Sequence, residues 1–250
     1  MMKTVGIIPA RYASTRFPGK PLAMIAGVSM IERVYRQALK AGSLKKVIVA
    51  TDDQRIADAV SAFGGEVVMT SSEHPSGTDR CAEVLSQLNG AFDAVVNIQG
   101  DEPFIHPGQI DLVCGALAED QVQIATLVKK ISTITELTNP NSPKVVLGAN
   151  GDALYFSRQP IPFFKGAEIE EWITHHCYYK HIGIYGYRAD VLPRLTRLTP
   201  GKLEKAESLE QLRWLEHGFR IRTRITELET IAVDTPADMK AAEEYIQSTP

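Results

Sequence analysis

Three cationic side chains stand close together after the first apolar run of the chain. That run covers residues 5–8, and the segment behind it carries Arg11, Arg16 and Lys20 among Pro, Gly and Ser residues. Guanidinium and ammonium groups neutralise phosphate oxygens through charge-assisted hydrogen bonds. The spacing therefore indicates a triphosphate site, although a solvated charged loop explains it equally well.

The same segment does not match two common phosphate-binding loops. Gly19-Lys20 is followed by Pro21 rather than Ser or Thr, and Ser14 stands where the first glycine of a Walker loop belongs. No G-x-G-x-x-G fingerprint follows the first predicted strand. These departures argue against a P-loop kinase and an NAD-dependent dehydrogenase.

Two aspartates are candidate ligands of Mg²⁺. Asp101 follows a predicted strand and a Gln99-Gly100 turn, so its carboxylate should point towards the cationic loop. Mg²⁺ prefers hard oxygen ligands and is often held by one or two carboxylates together with substrate phosphates. Asp234 precedes Thr235-Pro236 and, taken alone, is explained better as the N-cap of a final helix.

The elements that would position these groups alternate along the first half of the chain. Short apolar runs predict strands, and segments with helical periodicity between them end at glycines. This alternation predicts an α/β, Rossmann-like fold with a mostly parallel central sheet and helices on both faces, whose ligands bind at the carboxyl ends of the strands. The predicted strands are 5–8, 46–51, 66–70 and 91–99, and the predicted helices are 29–41, 53–63 and one starting near Gly77.

The second half is less regular. Strand-like runs are separated by prolines, which confine the connections to loops. We expect one domain over residues 1–250, with 124–190 contributing much of a small mixed-sheet lobe. The runs are 124–130, 145–147, 153–156 and 178–187, and helices are predicted over 203–217 and 236–246.

Composition narrows the possible partners and location. The chain of 250 residues has 23% charged residues and a net charge of −3, so bulk attraction to nucleic acid or a membrane surface is not expected. Its three cysteines include no C-x-x-C pair, which favours a reducing compartment. Because no signal peptide or membrane-spanning segment is evident, we expect a cytoplasmic protein.

Seven ordered motifs, spread over nearly the whole chain, resemble the 3-deoxy-manno-octulosonate cytidylyltransferase (CMP-Kdo synthetase) family. They are IPARYASTRFPGKPL at 8–22, HPSGTDR at 74–80, NIQGDEP at 97–103, YFSR at 155–158, HIGIYGY at 181–187, LEQLR at 209–213 and VDTP at 233–236.

The resemblance implies a nucleotidyltransferase fold, a homodimer, and Mg²⁺-dependent transfer of CMP from CTP to the anomeric hydroxyl of 3-deoxy-D-manno-octulosonate (Kdo). Pyrophosphate is released, and CMP-Kdo serves lipopolysaccharide synthesis. A transferase for 8-amino-Kdo or sialic acid would share every phosphate and metal residue. A non-catalytic nucleotide-binding module on the same fold is the alternative from a different class.

The resemblance also implies roles for individual residues. The catalytic residues are Arg11, Arg16, Lys20 and Asp101, the Mg²⁺ ligands are Asp101 and Asp234, and the nucleotide-binding residues are Ala10, Arg11, Lys20, Ser76, Gly77 and Gln99. The sugar-binding residues are Arg80, Arg158, His181, Tyr185, Glu207 and Gln211.

The spacing of the predicted sugar-binding side chains indicates how they are arranged. Arg158 and Arg80 are candidates for a two-pronged bond to the sugar carboxylate, with Arg158 preferred because it closes a motif at a strand end. The pairs His181/Tyr185 and Glu207/Gln211 are each four residues apart, which places each pair on one face of its predicted strand or helix. Structural histidines and solvated helix faces produce the same patterns. The segment 162–172 carries no motif that assigns it a role.

Overall fold

A nine-stranded sheet, of which seven strands form one continuous path, is the centre of the molecule. The computed structural model describes residues 2–13, 17–229, 232–233 and 235–248. The strands are β1 (Thr4–Ala10), β2 (Met24–Ile25), β3 (Val28–Ser29), β4 (Leu44–Thr51), β5 (Val67–Met69), β6 (Ala94–Asn97), β7 (Ile124–Lys130), β8 (Lys144–Leu147), β9 (Ala153–Ser157), β10 (Tyr179–Arg188) and β11 (Ile221–Ile225).

The sheet is mostly parallel, as predicted. Its order is β11-β7-β10-β6-β1-β4-β5. All neighbouring pairs on this path are parallel except those of β10, which runs antiparallel to both β6 and β7. Strands β8 and β9 extend from β10 as an antiparallel pair, and β2 and β3 form a separate hairpin. Within residues 124–190, therefore, β7 and β10 belong to the main sheet.

Helices cover both faces of this sheet. They are α1 (Met30–Ala38), α2 (Gln54–Ala62), α3 (Gly77–Gln87), α4 (Pro107–Leu117), α5 (Ile134–Thr138), α6 (Trp172–His175), α7 (Leu192–Leu195), α8 (Lys202–Glu207), α9 (Gln211–Glu216) and α10 (Pro236–Ser248). None of these helices, within the described part of the chain, is both long and apolar enough to cross a membrane.

The two faces explain why the strands read as unbroken apolar runs. Adjacent side chains on a strand point to opposite faces, and in β1 both Ile7 and Ile8 are fully buried. Ile8 packs with α1, α2 and α4, whereas Ile7 packs with α3 and Trp214 of α9. The sequence therefore shows no polar alternation in β1, because neither face meets water.

The predicted single helix over 203–217 is wrong, since the chain breaks there into two short helices. Helix α8 ends at Glu207, Ser208 adopts a left-handed conformation with φ of 51°, and α9 begins at Gln211. The Arg158 guanidinium binds the carbonyl oxygens of Glu207 and Ser208 at this break. Those bonds satisfy carbonyls that a continuous helix would have used internally.

Candidate active site

A polar cleft of about 260 Å³ opens where β1 and β6 end and α3 begins. This is the edge at which parallel strands of an α/β sheet bind their ligands. The cleft is lined by Pro9, Ala10, Arg11, Lys20, Pro21, His74, Pro75, Ser76, Gly77, Arg80, Gln99, Gly100 and Asp101. All of the predicted nucleotide-binding residues line it.

Lys20 and Asp101 meet directly in this cleft. The Lys20 Nζ donates to Asp101 Oδ2 at 2.7 Å, with side chains that are 14% and 29% exposed. Lys20 begins a short 3-10 turn after Gly19, whose φ of 72° is in the left-handed region that glycine accepts readily. Arg11 lines the cleft at the end of β1, whereas the predicted catalytic residue Arg16 lies outside the described residues.

The Asp101 carboxylate fits a magnesium site of the usual open kind. It is one hard oxygen donor that remains partly accessible in a cleft with room for phosphates, which are the other ligands that Mg²⁺ prefers. The described residues contain no group of three or more His, Cys, Asp or Glu side chains that would form a complete metal cage. The Asp101 carbonyl accepts the backbone N–H of Val233 at 2.9 Å, and the predicted ligand Asp234 lies outside the described residues.

The opposite wall of the cleft is built on the first turn of α3. Ser76 is the N-cap of this helix, since its Oγ accepts the backbone N–H of Asp79 at 3.2 Å. Glu210 then links this turn to the α8–α9 segment, because its carboxylate accepts the hydroxyls of Ser76 at 3.0 Å and Thr78 at 2.8 Å. Burial raises the pKa of Glu210.

Glu210 was missed as a site residue. The available signal was its position inside the LEQLR motif, next to the predicted Gln211. Gln211 itself is only 5% exposed and does not line the cleft.

Arg80 is a buried cation in the wall of the same cleft. It is 4% exposed, and its guanidinium contacts the Thr70 hydroxyl and lies 3.2 Å from Asp52 Oδ1. Arg80 therefore lies with Gln99 and Ser76 in the cleft that contains the predicted nucleotide residues.

Arg158 and Glu207 lie outside this cleft and bind mainly to the chain itself. The Arg158 guanidinium donates to the carbonyl oxygens of Glu207 at 2.7 Å, Pro140 at 3.0 Å and Ser208 at 3.2 Å. The Glu207 carboxylate accepts the Ser157 hydroxyl at 2.7 Å and the Arg158 backbone N–H at 2.9 Å. All three guanidinium nitrogens and both carboxylate oxygens thus have partners within the protein.

His181 and Tyr185 share a face of β10, as predicted, with ring centroids 5.1 Å apart. Strand β10 bulges between Ile182 and Tyr185, where it has two more residues than its partner β7. Because the number of extra residues is even, alternate side chains point to the same face before and after the bulge. The Thr126 hydroxyl donates to the Ile184 carbonyl at 2.7 Å, so its oxygen must accept from His181 Nε2 at 2.9 Å. Burial lowers the pKa of His181 to about 3, which keeps the ring neutral.

The bulge brings β10 next to the cleft. A Cβ placed on Gly183 would lie 3.8 Å from the Gln99 side chain, which lines the cleft. The Tyr185 hydroxyl is buried and has no hydrogen-bond partner among the described residues. Buried polar atoms are nearly always paired in folded proteins, so this hydroxyl is available to a ligand or an ordered water.

Comparison with known proteins gives one consistent family. A family model described as cytidylyltransferase matches residues 5–225. A 3-deoxy-manno-octulosonate cytidylyltransferase of Bacteroides thetaiotaomicron is 57% identical over 99% of each chain. The solved structure of a CMP:2-keto-3-deoxy-manno-octonic acid synthetase complexed with CTP has a TM-score of 0.92 and 42% identity, over 99% of this chain and 100% of that one.

A more distant structure agrees in fold alone. A cytidylyltransferase from Leptospira borgpetersenii has a TM-score of 0.66 at 15% identity, covering 100% of this chain and 89% of that one.

Proposed function

The chain belongs to the 3-deoxy-manno-octulosonate cytidylyltransferase family and is a nucleotidyltransferase, and we propose that it transfers CMP from CTP to the anomeric hydroxyl of Kdo. The products are CMP-Kdo, for lipopolysaccharide synthesis, and pyrophosphate. The observation that carries the proposal is the cleft in which Lys20 and Asp101 face the α3 N-terminus and Gln99.

The reaction needs alignment and charge stabilisation more than covalent chemistry. The anomeric hydroxyl attacks the α-phosphorus of CTP in line with the departing pyrophosphate, so one P–O bond forms while another breaks. Arg11 and Lys20 lie on the loop side of the cleft, where their charges stabilise the outer phosphates and the leaving group. No side chain is required as a nucleophile.

Asp101 is the residue that would hold Mg²⁺, with Asp234 as the second proposed ligand. When bound, the ion would neutralise phosphate charge and polarise the reacting oxygens. The Lys20 ammonium pairs with the Asp101 carboxylate. Triphosphate oxygens are an alternative partner for Lys20, and its transfer to them would release Asp101 for the metal.

The cytidine half of the nucleotide belongs on the opposite wall. Backbone groups of Ala10 and Arg11 face Ser76, Gly77 and Gln99 across the cleft. Backbone N–H groups at a helix N-terminus readily donate hydrogen bonds to acceptor atoms of a ligand.

The sugar acid would lie next to Gln99, beside the bulge of β10. Support comes from the unpaired Tyr185 hydroxyl, the neutral His181 and the Glu210 bridge to Ser76. Arg80 is the buried cation already inside the cleft, and we assign it to the sugar carboxylate ahead of Arg158. Arg158, Glu207 and Gln211 would support this wall from outside.

Pyrophosphate release tests the proposal. The protein is mixed with CTP, Mg²⁺ and, in separate reactions, Kdo, 8-amino-Kdo or sialic acid. We expect release with Kdo to be fastest. Faster release with another acid would reassign the substrate, and no release with any of them would favour a non-catalytic nucleotide-binding module.

Two further expectations concern assembly and location. A homodimer is supported by Phe163, which is 75% exposed and contacts Trp172 edge-on in the segment between β9 and β10. Light scattering on the purified chain would detect a monomer if this is wrong. Free thiols at Cys81, Cys114 and Cys177 agree with a reducing cytoplasm.

A further inference from the structure

The loop that carries Arg11 and Lys20 is tied to the N-terminus of α2 by an aromatic contact outside the cleft. The guanidinium carbon of Arg55 lies 3.3 Å from the centroid of the Tyr12 ring. Neither Tyr12 nor Arg55 lines the cleft. We name this arrangement the Tyr12 clasp and define it as Tyr12, Gly19, Asp53 and Arg55.

One end of the clasp is fixed to the phosphate loop. The Tyr12 carbonyl accepts the backbone N–H of Gly19 at 2.9 Å, which closes the loop one residue before Lys20. The Tyr12 side chain also packs against Gly19 so closely that a Cβ there would lie 3.1 Å from two of its ring carbons and from its hydroxyl oxygen. Any movement of the ring therefore displaces the residue that precedes Lys20.

The other end is fixed to a helix of the main scaffold. Asp53 is the N-cap of α2, where it accepts the backbone N–H of Arg55 at 3.0 Å. The same carboxylate holds the Arg55 side chain through two bonds, from Nε at 2.9 Å and from Nη2 at 2.6 Å. A guanidinium held in this planar fork keeps its orientation above the ring.

We propose that Arg55 is a positioning residue for triphosphate binding, which acts through Tyr12 to hold the loop that presents Lys20 and Arg11. The inference rests on the proposed function, because it needs a nucleotide in the cleft. Among the described residues, the Arg55 side chain contacts Tyr12 and Asp53, neither of which lines the cleft, and it is 60% exposed. Its effect would therefore reach the cleft through the ring.

The clasp should affect the outer phosphates far more than the nucleoside. An exposed cation–π contact is worth about a two- to five-fold change in an equilibrium constant. We expect Arg55→Met to weaken CTP binding by about that factor and to leave CMP binding unchanged, because CMP lacks the phosphates that Lys20 would hold. The KM for CTP should rise in parallel, with the KM for the sugar acid unchanged.

A matched control separates this effect from the loss of any surface charge. Arg36 has a side chain that is also 60% exposed and is also paired with a carboxylate, that of Glu32. Arg36→Met should bind CTP and CMP like wild type.

Asp53→Ser retains a helix cap but loses the two-bond contact with the Arg55 guanidinium, so it should reproduce part of the Arg55→Met defect. Tyr12→Phe retains the ring and should behave like wild type.

The decisive measurement is a double-mutant cycle on nucleotide affinity, determined by calorimetry. If the clasp is one unit, Tyr12→Leu and Arg55→Met together should weaken CTP binding no more than Tyr12→Leu alone. Additive losses, or equal losses for CTP and CMP, would overturn the proposal. The wild-type protein separates failure of the clasp from failure of the proposed function. If the proposed function is wrong, wild type itself would bind CTP no more tightly than CMP.

Discussion

Two charged regions of the molecule use the same residue types in opposite ways. In the cleft, Lys20 and Asp101 pair with each other beside an open cavity of about 260 Å³. In the Arg158–Glu207 cluster, which consists of Ser157, Arg158, Glu207 and Ser208, every charged atom binds the chain. A cation with partners it can exchange indicates a binding group, whereas one saturated by main-chain carbonyls indicates a structural anchor.

The largest effect should come from the cleft side of this comparison. Asp101→Asn keeps the shape of the side chain but removes the charge that would hold the metal. Turnover should fall by about two or more powers of ten, since several kcal/mol of transition-state stabilisation would be lost. Steady-state pyrophosphate release measures it.

The control for Asp101→Asn is Asp58→Asn on the exposed face of α2, which should retain wild-type turnover. Circular dichroism must show both variants folded. A fully active Asp101→Asn protein would refute the metal assignment.

The next effect concerns the saturated cluster. Arg158→Lys keeps the positive charge but cannot reach three separate carbonyls with one ammonium. The free energy of unfolding should fall by about 2 kcal/mol, because the carbonyls of Pro140, Glu207 and Ser208 lose charge-assisted partners. Urea denaturation measures the change. An unchanged midpoint combined with a higher KM for the sugar acid would move Arg158 to the substrate site.

A smaller effect is expected for the loop cation. Lys20→Met retains the aliphatic stem and removes the ammonium. Affinity for CTP should fall about ten-fold, while affinity for CMP stays close to that of wild type, since only the outer phosphates lose a partner. Calorimetric titration with each nucleotide tests this difference. Equal losses for CTP and CMP would place Lys20 away from the outer phosphates.

The smallest effect concerns pH and the neutral His181. Its pKa is about 3 in the folded protein and about 6.5 when the chain is unfolded, so between these values only the unfolded state binds the proton. Stability should therefore fall as the pH drops from 7 to 6, by about 0.7 kcal/mol more in wild type than in His181→Asn. Parallel unfolding curves at the two pH values measure it, and an equal decline in both proteins would contradict the buried neutral ring.

The convergence of Lys20 and Asp101 could be predicted because it depends only on strand ends. Parallel strands place their carboxyl ends on one edge, so residues that follow β1 and β6 must meet there. The partners of Arg158 could not be predicted in this way. They are main-chain carbonyl oxygens, which every residue has, so no residue type identifies them. The break at Ser208 was hidden for a similar reason, because the residues on either side of it have ordinary helical propensity.

Among the elements that the sequence did not predict, helix α4 and strand β11 were missed for different physical reasons. Helix α4 is capped by His106, which is not one of the usual capping residues. Apolar residues occur around much of this helix, so its sequence has no clear amphipathic period of 3.6 residues. Strand β11 alternates Ile and Thr with arginines, and Arg222 pairs with Glu119 and Asp152. Arg222 is 70 residues from Asp152 and 103 residues from Glu119 along the chain, so local sequence spacing gives no sign of either ion pair.

The position of β10 has a consequence for how the chain folds. Four described strands lie within the first 97 residues and pair with one another, namely β1, β4, β5 and β6. Among them, β6 alone also pairs with a later strand, β10. Among the described strands, β7 in contrast pairs only with β10 and β11, which come later in the chain. During synthesis the first group of strands can assemble as soon as it emerges. Strand β7 has no partner until β10, which begins at Tyr179, has been made. Until then both of its edges are unpaired, and five residues that are buried in the folded protein are exposed. We therefore expect the nascent chain to be most prone to aggregation after residue 130 and before residue 179 has emerged.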